Sequence, residues 1–151
     1  SRNACTLNFV QKVAQRGIRV ASVCSGAFVL AEAGLLDGRR VTTHWQRTRQ
    51  FLRAYPNVKL EPDSIYVRDG NVWTSAGVTA GIDFALTLIA ELAGDDVAQG
   101  IQLAVEYAPA PPFDSGRPET APPKVLERIS AFYGAAMGDR VAAAERAAAV
   151  M

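Results

Sequence analysis

The sequence predicts an α/β fold with a largely parallel sheet and an antiparallel hairpin at one side. Short β-branched runs alternate with helical patterns along the 151 residues, the order of elements that builds parallel sheets. The dipeptide Asp69-Gly70 between two apolar runs indicates the hairpin, because both residues tolerate a positive φ. Hydrophobic residues make up 49% of the chain, enough for a substantial core. We therefore expect a single domain over residues 1–151.

The first elements predicted are a helix, a strand and a second helix. Residues 4–16 carry apolar side chains at three- and four-residue spacing, and Gly17 stands where a C-cap is expected. Residues 18–23 are rich in β-branched side chains and predict a strand buried on both faces. A helix over residues 28–33 follows with almost no loop before it.

The same alternation continues through the middle of the chain. The predicted elements are, in order, a strand at 39–43, a helix at 46–54, a strand at 58–60, hairpin strands at 65–68 and 71–74, and helices at 82–92 and 95–107. Asp95 is the expected N-cap of the last of these helices. Residues 108–123 hold six prolines and predict an extended surface arm, and residues 123–151 predict an alanine-rich C-terminal helix.

Cys24 is the candidate reactive residue. It stands between a buried strand and a helix, where a nucleophile is held in a tight turn that needs small neighbours. Here those neighbours are Ser22, Ser25, Gly26 and Ala27. This position places the sulfur at the carboxyl end of the sheet and over a helix N-terminus that favours the thiolate. The amides of Ser25 and Gly26 are expected to stabilise negative charge on a bound substrate. The alternative is a small buried hydrophobic residue, the common state of a free cysteine.

His44 is the candidate partner of Cys24. It is the only histidine in the chain, and its ordinary pKa suits proton transfer at neutral pH. Two successive parallel strands would place their carboxyl ends side by side, so we expect His44 to line the Cys24 pocket with Trp45 as a wall. The alternatives are a structural histidine and a packing tryptophan. No metal site is expected, since there is no second histidine and no paired cysteine spacing.

Composition excludes several classes of protein. The net charge is +1 and the basic residues are scattered, so no nucleic-acid partner is expected; Arg47, Arg49 and Arg53 are interpreted as a solvated helix face. No stretch has the roughly 18 apolar residues that span a bilayer, and the first residues lack the basic and apolar segments of a signal peptide. Two cysteines make no disulfide framework. A cytoplasmic protein without membrane contact is the expectation.

The chain resembles the ThiJ/PfpI superfamily, in the class I glutamine amidotransferase-like fold. The motifs that carry the resemblance are ASVCSGAF at 21–28, AGLLDGR at 33–39, VTTHW at 41–45 and TSAGVTAGID at 74–83. The arm from Tyr107 to Pro123 is similar to the branch that contains isocyanide (isonitrile) hydratases. The resemblance implies a flavodoxin-like three-layer sandwich, usually a homodimer, that acts on a small molecule without a metal or organic cofactor.

The resemblance also implies a reaction. In hydratases of that branch the cysteine attacks the isocyanide carbon, a thioimidate forms, and water releases an N-substituted formamide. This implies Cys24 as nucleophile, with Ser25 where those hydratases carry threonine. An acidic residue from the N-terminal part of the family's domain handles the protons, whereas this chain begins one helix before the cysteine strand. We therefore expect an N-terminally incomplete domain: a fragment, a half completed by a second polypeptide, or an inactive form.

Two other functions fit the same residues. The superfamily's domain also serves as the ligand-sensing half of AraC-type transcription regulators, followed there by helix-turn-helix units. A reversible oxidation of Cys24 in a redox or stress response is the other alternative, since a low thiol pKa and exposure favour it.

Overall fold

The computed structural model describes residues 4–134. The chain divides into one unit at Asn3–Pro109 and a second unit made of Ser1–Arg2 and Ala110–Met151. In the second unit, residues 110–122 contain turns and bends without a helix or strand, and residues 123–134 are helical. The remainder of the predicted C-terminal helix lies outside the described residues.

The first unit alternates helices and strands as predicted. Its elements are α1 (Ala4–Gln15), β1 (Val20–Val23), α2 (Gly26–Glu32), β2 (Arg40–Val41), a 3-10 turn (Trp45–Arg47), α3 (Thr48–Ala54), β3 (Lys59–Leu60), β4 (Tyr66–Asp69), β5 (Val72–Ser75), α4 (Ala80–Ala93) and α5 (Asp95–Ala104).

The strands form two small sheets. The first has the order β1-β5-β4, with β1 and β5 parallel and β4 and β5 antiparallel. The second pairs β2 with β3 in parallel. The successive strands β1 and β2 do not pair, because β5 lies beside β1 and β3 beside β2. Between β1 and β5 the chain passes through β2, β3 and β4.

Helices cover both faces of the first sheet, so this unit is a three-layer α/β sandwich of the flavodoxin-like kind. Val20 and Val72 pair across β1 and β5 and belong to a buried apolar cluster; the cluster also contains Ala27, Leu30, Leu36, Val41, Phe51 and Val58. On the other face Trp73 contacts Phe84 of α4 with the ring centroids 6.1 Å apart. Successive side chains of β5 point to opposite faces of the sheet, and each face is covered by a helical layer.

One face of β1 is open, contrary to the prediction of a strand buried on both faces. Val20 and Ser22 are buried, whereas Ala21 and Val23 are exposed. The reason is the position of β1 at the edge of the sheet. Phe84 of α4 packs on Trp73 and Tyr66, so α4 covers β5 and β4 more fully than it covers β1.

Two turns differ by one residue from their predicted positions. Asp69 pairs with Val72 in the hairpin register, so the two loop residues are Gly70, at φ +59, and Asn71. Asp69 stays in the strand because its carboxylate accepts hydrogen bonds from the Arg39 side chain and the Arg40 amide.

The other shifted position is the start of α5. Gly94, at φ +93, caps the end of α4 and the start of α5. It is the only residue between the two helices, so Asp95 is the first helical residue and not the N-cap.

Trp73 and two arginines fasten α4 to the sheet. The guanidinium carbons of Arg19 and Arg68 lie 4.5 and 4.3 Å from the Trp73 ring centroid. Both arginines form ion pairs with Glu91 near the end of α4. These contacts place cations against a ring that is only 1% exposed, where their attraction to the ring is stronger than on the open surface. Among residues 4–134 no helix has the length and hydropathy to cross a membrane.

Candidate active site at Cys24

Cys24 has a left-handed backbone conformation. Its φ is +57°, in a region that side chains other than glycine seldom adopt because of the contact between Cβ and the carbonyl oxygen. It is half-buried and lies in the two-residue turn between β1 and α2. Among the described non-glycine residues only Glu106 shares a positive φ. The tight, strained turn predicted from the small neighbours of Cys24 is therefore present.

Two buried neighbours hold that turn in place. The Cys24 amide donates to the carbonyl of Ser75 at 2.9 Å, which extends the pairing of β1 with β5. The Thr43 hydroxyl donates to the carbonyl of Cys24 at 2.9 Å. Thr43 and Ser75 are both completely buried. The strain at Cys24 is thus balanced by hydrogen bonds from two other parts of the chain.

Gly26 is required by the close approach of β1 and α2. A Cβ at Gly26 would lie 3.2 Å from Cβ of Ser22, tighter than an ordinary van der Waals contact. Ser25 is the exposed N-cap of α2, and its side chain makes no capping hydrogen bond. The amides of Ser25 and Gly26 precede the first intrahelical hydrogen bonds, so each can donate to another acceptor.

A layer of buried hydroxyl groups lies behind the turn. The Thr42 amide donates to the Thr74 hydroxyl at 2.8 Å, and the Thr42 hydroxyl donates to the carbonyl of Ser64 at 3.0 Å. The Ser75 hydroxyl donates to the carbonyl of Ile65 at 3.2 Å. The first bond joins the segment after β2 to β5, and the other two tie both to the residues before β4, so together they fix the two segments from which the site residues extend.

His44 follows this layer directly. Its Nδ1 accepts a 3.3 Å hydrogen bond from the Gln46 amide, and this bond caps the 3-10 turn. Because Nδ1 is the acceptor, the proton of the neutral ring is on Nε2. Burial, and secondarily the charge of Arg47, lower the pKa of His44 from its ordinary value of 6.5. The imidazole stacks on Trp45 at 5.8 Å between centroids. A Cβ at Gly77 would lie 3.6 Å from Cδ2 of His44, so this ring packs over Gly77, the second residue after β5.

The structure thus assembles part of the predicted site through the backbone. Cys24, Ser25 and Gly26 are consecutive in the turn, and the neighbour of His44 in sequence, Thr43, is bonded to Cys24. Cys5 is exposed on α1. Within residues 4–134, no three His, Cys, Asp or Glu side chains are grouped so as to hold a metal ion.

Sequence reasoning missed Thr43 and Ser75. A signal for them was present, because small hydroxyl residues directly follow β2 and end β5, where apolar residues would fill a core. Buried hydroxyls find hydrogen-bond partners, and at strand ends next to a turn the turn's backbone is the nearest partner.

Comparisons with known proteins place the chain among relatives with this architecture. The DJ-1/PfpI family profile matches residues 1–91. The isonitrile hydratase of Pseudomonas putida is 49% identical over 146 residues, which cover 95% of this chain and 62% of that enzyme. The HTH-type transcriptional regulator CdhR of Pseudomonas aeruginosa is 41% identical over 102 residues, which cover 68% of this chain and 28% of the regulator.

A solved structure supports the same assignment of the fold. A ThiJ/PfpI family protein from Pseudomonas syringae superposes with a TM-score of 0.78 at 39% identity. The superposition covers 87% of this chain and 53% of that protein. The chain therefore spans 62% of the length of the hydratase, 53% of the P. syringae protein and 28% of CdhR.

Proposed function

Because the chain belongs to the DJ-1/PfpI family, we propose that it contributes to the hydration of small isocyanides through a covalent intermediate on Cys24. The observation that carries the proposal is the left-handed turn that presents Cys24 between β1 and α2. The 49% identity to an isonitrile hydratase supports the substrate class. A small-molecule substrate, a homodimer and a cytoplasmic location belong to the same proposal.

The proposed reaction converts an isocyanide and water into an N-substituted formamide. The Cys24 thiolate attacks the terminal carbon of the isocyanide and forms a carbon–sulfur bond, and that carbon takes up a proton to give a thioimidate. Water then adds to the same carbon. One proton of that water goes to the nitrogen. The carbon–sulfur bond breaks as the oxygen loses its second proton and forms the carbonyl, which regenerates the thiolate and replaces the proton given to carbon, so the net change is the addition of one water molecule.

Four further residues have proposed roles around Cys24. The amides of Ser25 and Gly26 stabilise the negative charge that develops on the substrate. The Ser25 hydroxyl, which makes no capping hydrogen bond, donates a hydrogen bond to the group that carries this charge. His44, whose lowered pKa favours the neutral ring at pH 7, presents its Nε2 proton as a donor and holds the ring of Trp45 as an apolar wall. The acidic residue that moves protons is expected from the part of the relatives that this chain does not span.

The decisive experiment is an assay of formamide production from cyclohexyl isocyanide, with intact-mass detection of the Cys24 adduct. The chain is assayed alone and after mixing with the part of the P. putida enzyme that the alignment leaves uncovered. We expect the adduct on Cys24 in both samples and turnover wherever the acidic residue is supplied. Cys24→Ala abolishes both signals.

Cys5→Ala is the matched control, because Cys5 is an exposed cysteine on the same chain outside the turn. It keeps both the adduct and the turnover. Equal turnover by the wild-type and Cys24→Ala proteins contradicts the proposal, and so does the absence of adduct and product in every mixture.

The similarity to CdhR favours a second candidate, a ligand-sensing domain of AraC-type regulators. In this case the same turn binds a small molecule without turnover. A sensor gives saturable binding of its ligand to both wild-type and Cys24→Ala proteins, whereas the hydratase gives a covalent adduct that requires the thiol.

A further inference from the structure

One stripe of α3 and the turn before it lines an open cleft of about 480 Å³. The lining residues follow each other at three- and four-residue spacing, so they share one helical face; they are Gln46, Arg49, Gln50, Arg53 and Ala54. Phe51, completely buried, anchors the opposite side of α3 in the core. The cleft therefore lies on a fixed helix and presents two guanidinium groups and two amides.

The arginines of this stripe lack ion-pair partners among the described residues. The four arginines at the strands, Arg19, Arg39, Arg40 and Arg68, each pair with a carboxylate. Arg49 and Arg53, together with Arg47, form no ion pair within residues 4–134. Like charges four residues apart on a helix repel each other, so an anion between the two arginines stabilises the pair.

Gln46 adds an unsatisfied donor at the same place. Its Nε2 is buried and has no hydrogen-bond partner among the described residues. A buried amide without a partner is unfavourable. Gln46 also lines the cleft, so this amide is a donor at the cleft that lacks a partner within the described residues.

We infer that this cleft binds a small oxyanion, the carboxylate or phosphate group of a soluble ligand. Paired guanidinium groups match the two oxygens of a carboxylate or phosphate, and side-chain amides supply further donors. No acidic side chain lines the cleft. The site differs from the Cys24 turn in its residues, and the inference does not depend on the proposed hydratase activity.

The cleft is linked to His44 through the 3-10 turn. The Gln46 amide bonds His44 Nδ1 at 3.3 Å, and Arg47 is one of the groups that lower the pKa of His44. An anion beside this turn offsets the positive charge and raises the pKa of His44. Because the chain has a single histidine, one imidazole resonance reports occupancy of the cleft.

The test is a titration of the 151-residue chain with inorganic phosphate and with acetate at constant ionic strength, followed by NMR. We expect saturable shifts of the His44 imidazole and of the Arg49 and Arg53 Nε–H resonances. Arg49→Gln/Arg53→Gln weakens phosphate binding at least about tenfold, through the loss of charge-assisted hydrogen bonds.

Lys12→Gln/Arg16→Gln is the matched control, because it removes two basic side chains four residues apart at the end of another helix, Lys12 within α1 and Arg16 directly after it. It leaves the affinity within about twofold of wild type if binding is local rather than a response to net charge. Shifts that stay linear with concentration, or that fall equally in both double variants, overturn the inference.

A second arm distinguishes the source of the anion. N-Formylglycine, which joins a carboxylate to a formamide, is compared with acetate. Tighter binding of N-formylglycine means that the anion belongs to a substrate or product, and equal binding means that the cleft takes free anions; both support the site. Failure of all these ligands to bind overturns it and leaves the test of Cys24 unaffected.

Discussion

The side-chain hydroxyl of Thr43 donates a 2.9 Å hydrogen bond to the main-chain carbonyl of Cys24. The bond crosses from the segment after β2 to the turn after β1, although these strands belong to different sheets. It therefore joins the residues that follow the carboxyl ends of β1 and β2, although the two strands do not pair. It also satisfies a carbonyl of a residue whose backbone is strained.

Thr43→Val removes this hydrogen bond while keeping the shape of the side chain. Thr43 is completely buried, so we expect a loss of about 1–2 kcal/mol in the free energy of unfolding from the unpaired carbonyl. The turn at Cys24 loosens at the same time, which changes the rate of Cys24 alkylation by iodoacetamide. Urea unfolding and mass spectrometry measure the two effects.

Two further variants separate this hydrogen bond from other effects of the substitution. Thr43→Ser restores the hydroxyl and recovers most of the stability and the wild-type alkylation rate. Thr79→Val makes the same substitution at an exposed residue without a side-chain capping bond, so it leaves both unchanged. An unfolding free energy for Thr43→Val equal to that of Thr79→Val would show that the bond contributes nothing.

The left-handed conformation of Cys24 predicts an unusual order of stability. With φ at +57°, Cys24→Gly relieves the contact of Cβ with the backbone, whereas Cys24→Ala retains it. We expect the glycine variant to be more stable than the alanine variant by about 1 kcal/mol, because this conformation carries a penalty of that order for residues with a Cβ. Urea unfolding of the two proteins measures the difference.

Glu106 offers an independent comparison, since it is exposed and has φ +52°. We expect Glu106→Gly to be more stable than Glu106→Ala, because glycine adopts a positive φ without the contact between Cβ and the backbone. If Cys24→Ala equals or exceeds Cys24→Gly while the Glu106 pair shows the expected order, the strain at Cys24 is absent in solution.

The element order could be predicted from sequence because it depends on local patterns. The β-branched run before Cys24, the apolar spacing of α1, and the glycines at helix ends each report the conformation of a few neighbouring residues. Gly17 has the positive φ that its predicted C-cap position requires. The pairing of β1 with β5 depends on residues about fifty positions apart, and no local pattern encodes that choice.

In the candidate site, too, the features set by local sequence could be predicted and those set by long-range contacts could not. Cys24 was predictable because its signal, a reactive side chain among small residues, is contained in the turn itself. The supports of that turn, Thr43 and Ser75, come from other strands and depend on the tertiary arrangement. The pocket formed by Cys24, His44 and Trp45 stays a prediction, which the experiments on Cys24 test.

Alanine substitutions at two helical glycines should change the stability of the protein in opposite directions. Alanine is favoured over glycine within a helix by about 1 kcal/mol. A Cβ at Gly100 in α5 meets nothing within 4 Å, so Gly100→Ala stabilises the protein. A Cβ at Gly26 meets Ser22 Cβ at 3.2 Å, so Gly26→Ala pushes β1 and α2 apart and destabilises it.

Thermal unfolding of both alanine variants measures these signs. The separation of β1 and α2 also displaces Cys24, which lies between these two elements. We therefore expect Gly26→Ala to alter the alkylation rate of Cys24 and Gly100→Ala to leave it unchanged. Stabilisation by both substitutions would mean that α2 moves away from Ser22 without cost.

His44 makes the stability of the fold depend on pH. Burial first, and then Arg47, lower its pKa in the folded state below the ordinary value of 6.5. Between these two pKa values the unfolded chain binds more protons than the folded one, so its contribution is constant above pH 6.5 and stability falls as the pH drops below that value. The fall ends once the pH is below the folded-state pKa.

His44→Gln removes this contribution, so urea unfolding between about pH 8 and about pH 5 should show a smaller loss of stability for the variant than for wild type. Arg47→Gln raises the pKa of His44 only part of the way towards 6.5, because burial is the larger cause. NMR titration of the single imidazole measures the pKa directly. A value at or above 6.5 in the wild-type protein would show that the ring is solvated, and the slope with pH would then be absent or reversed.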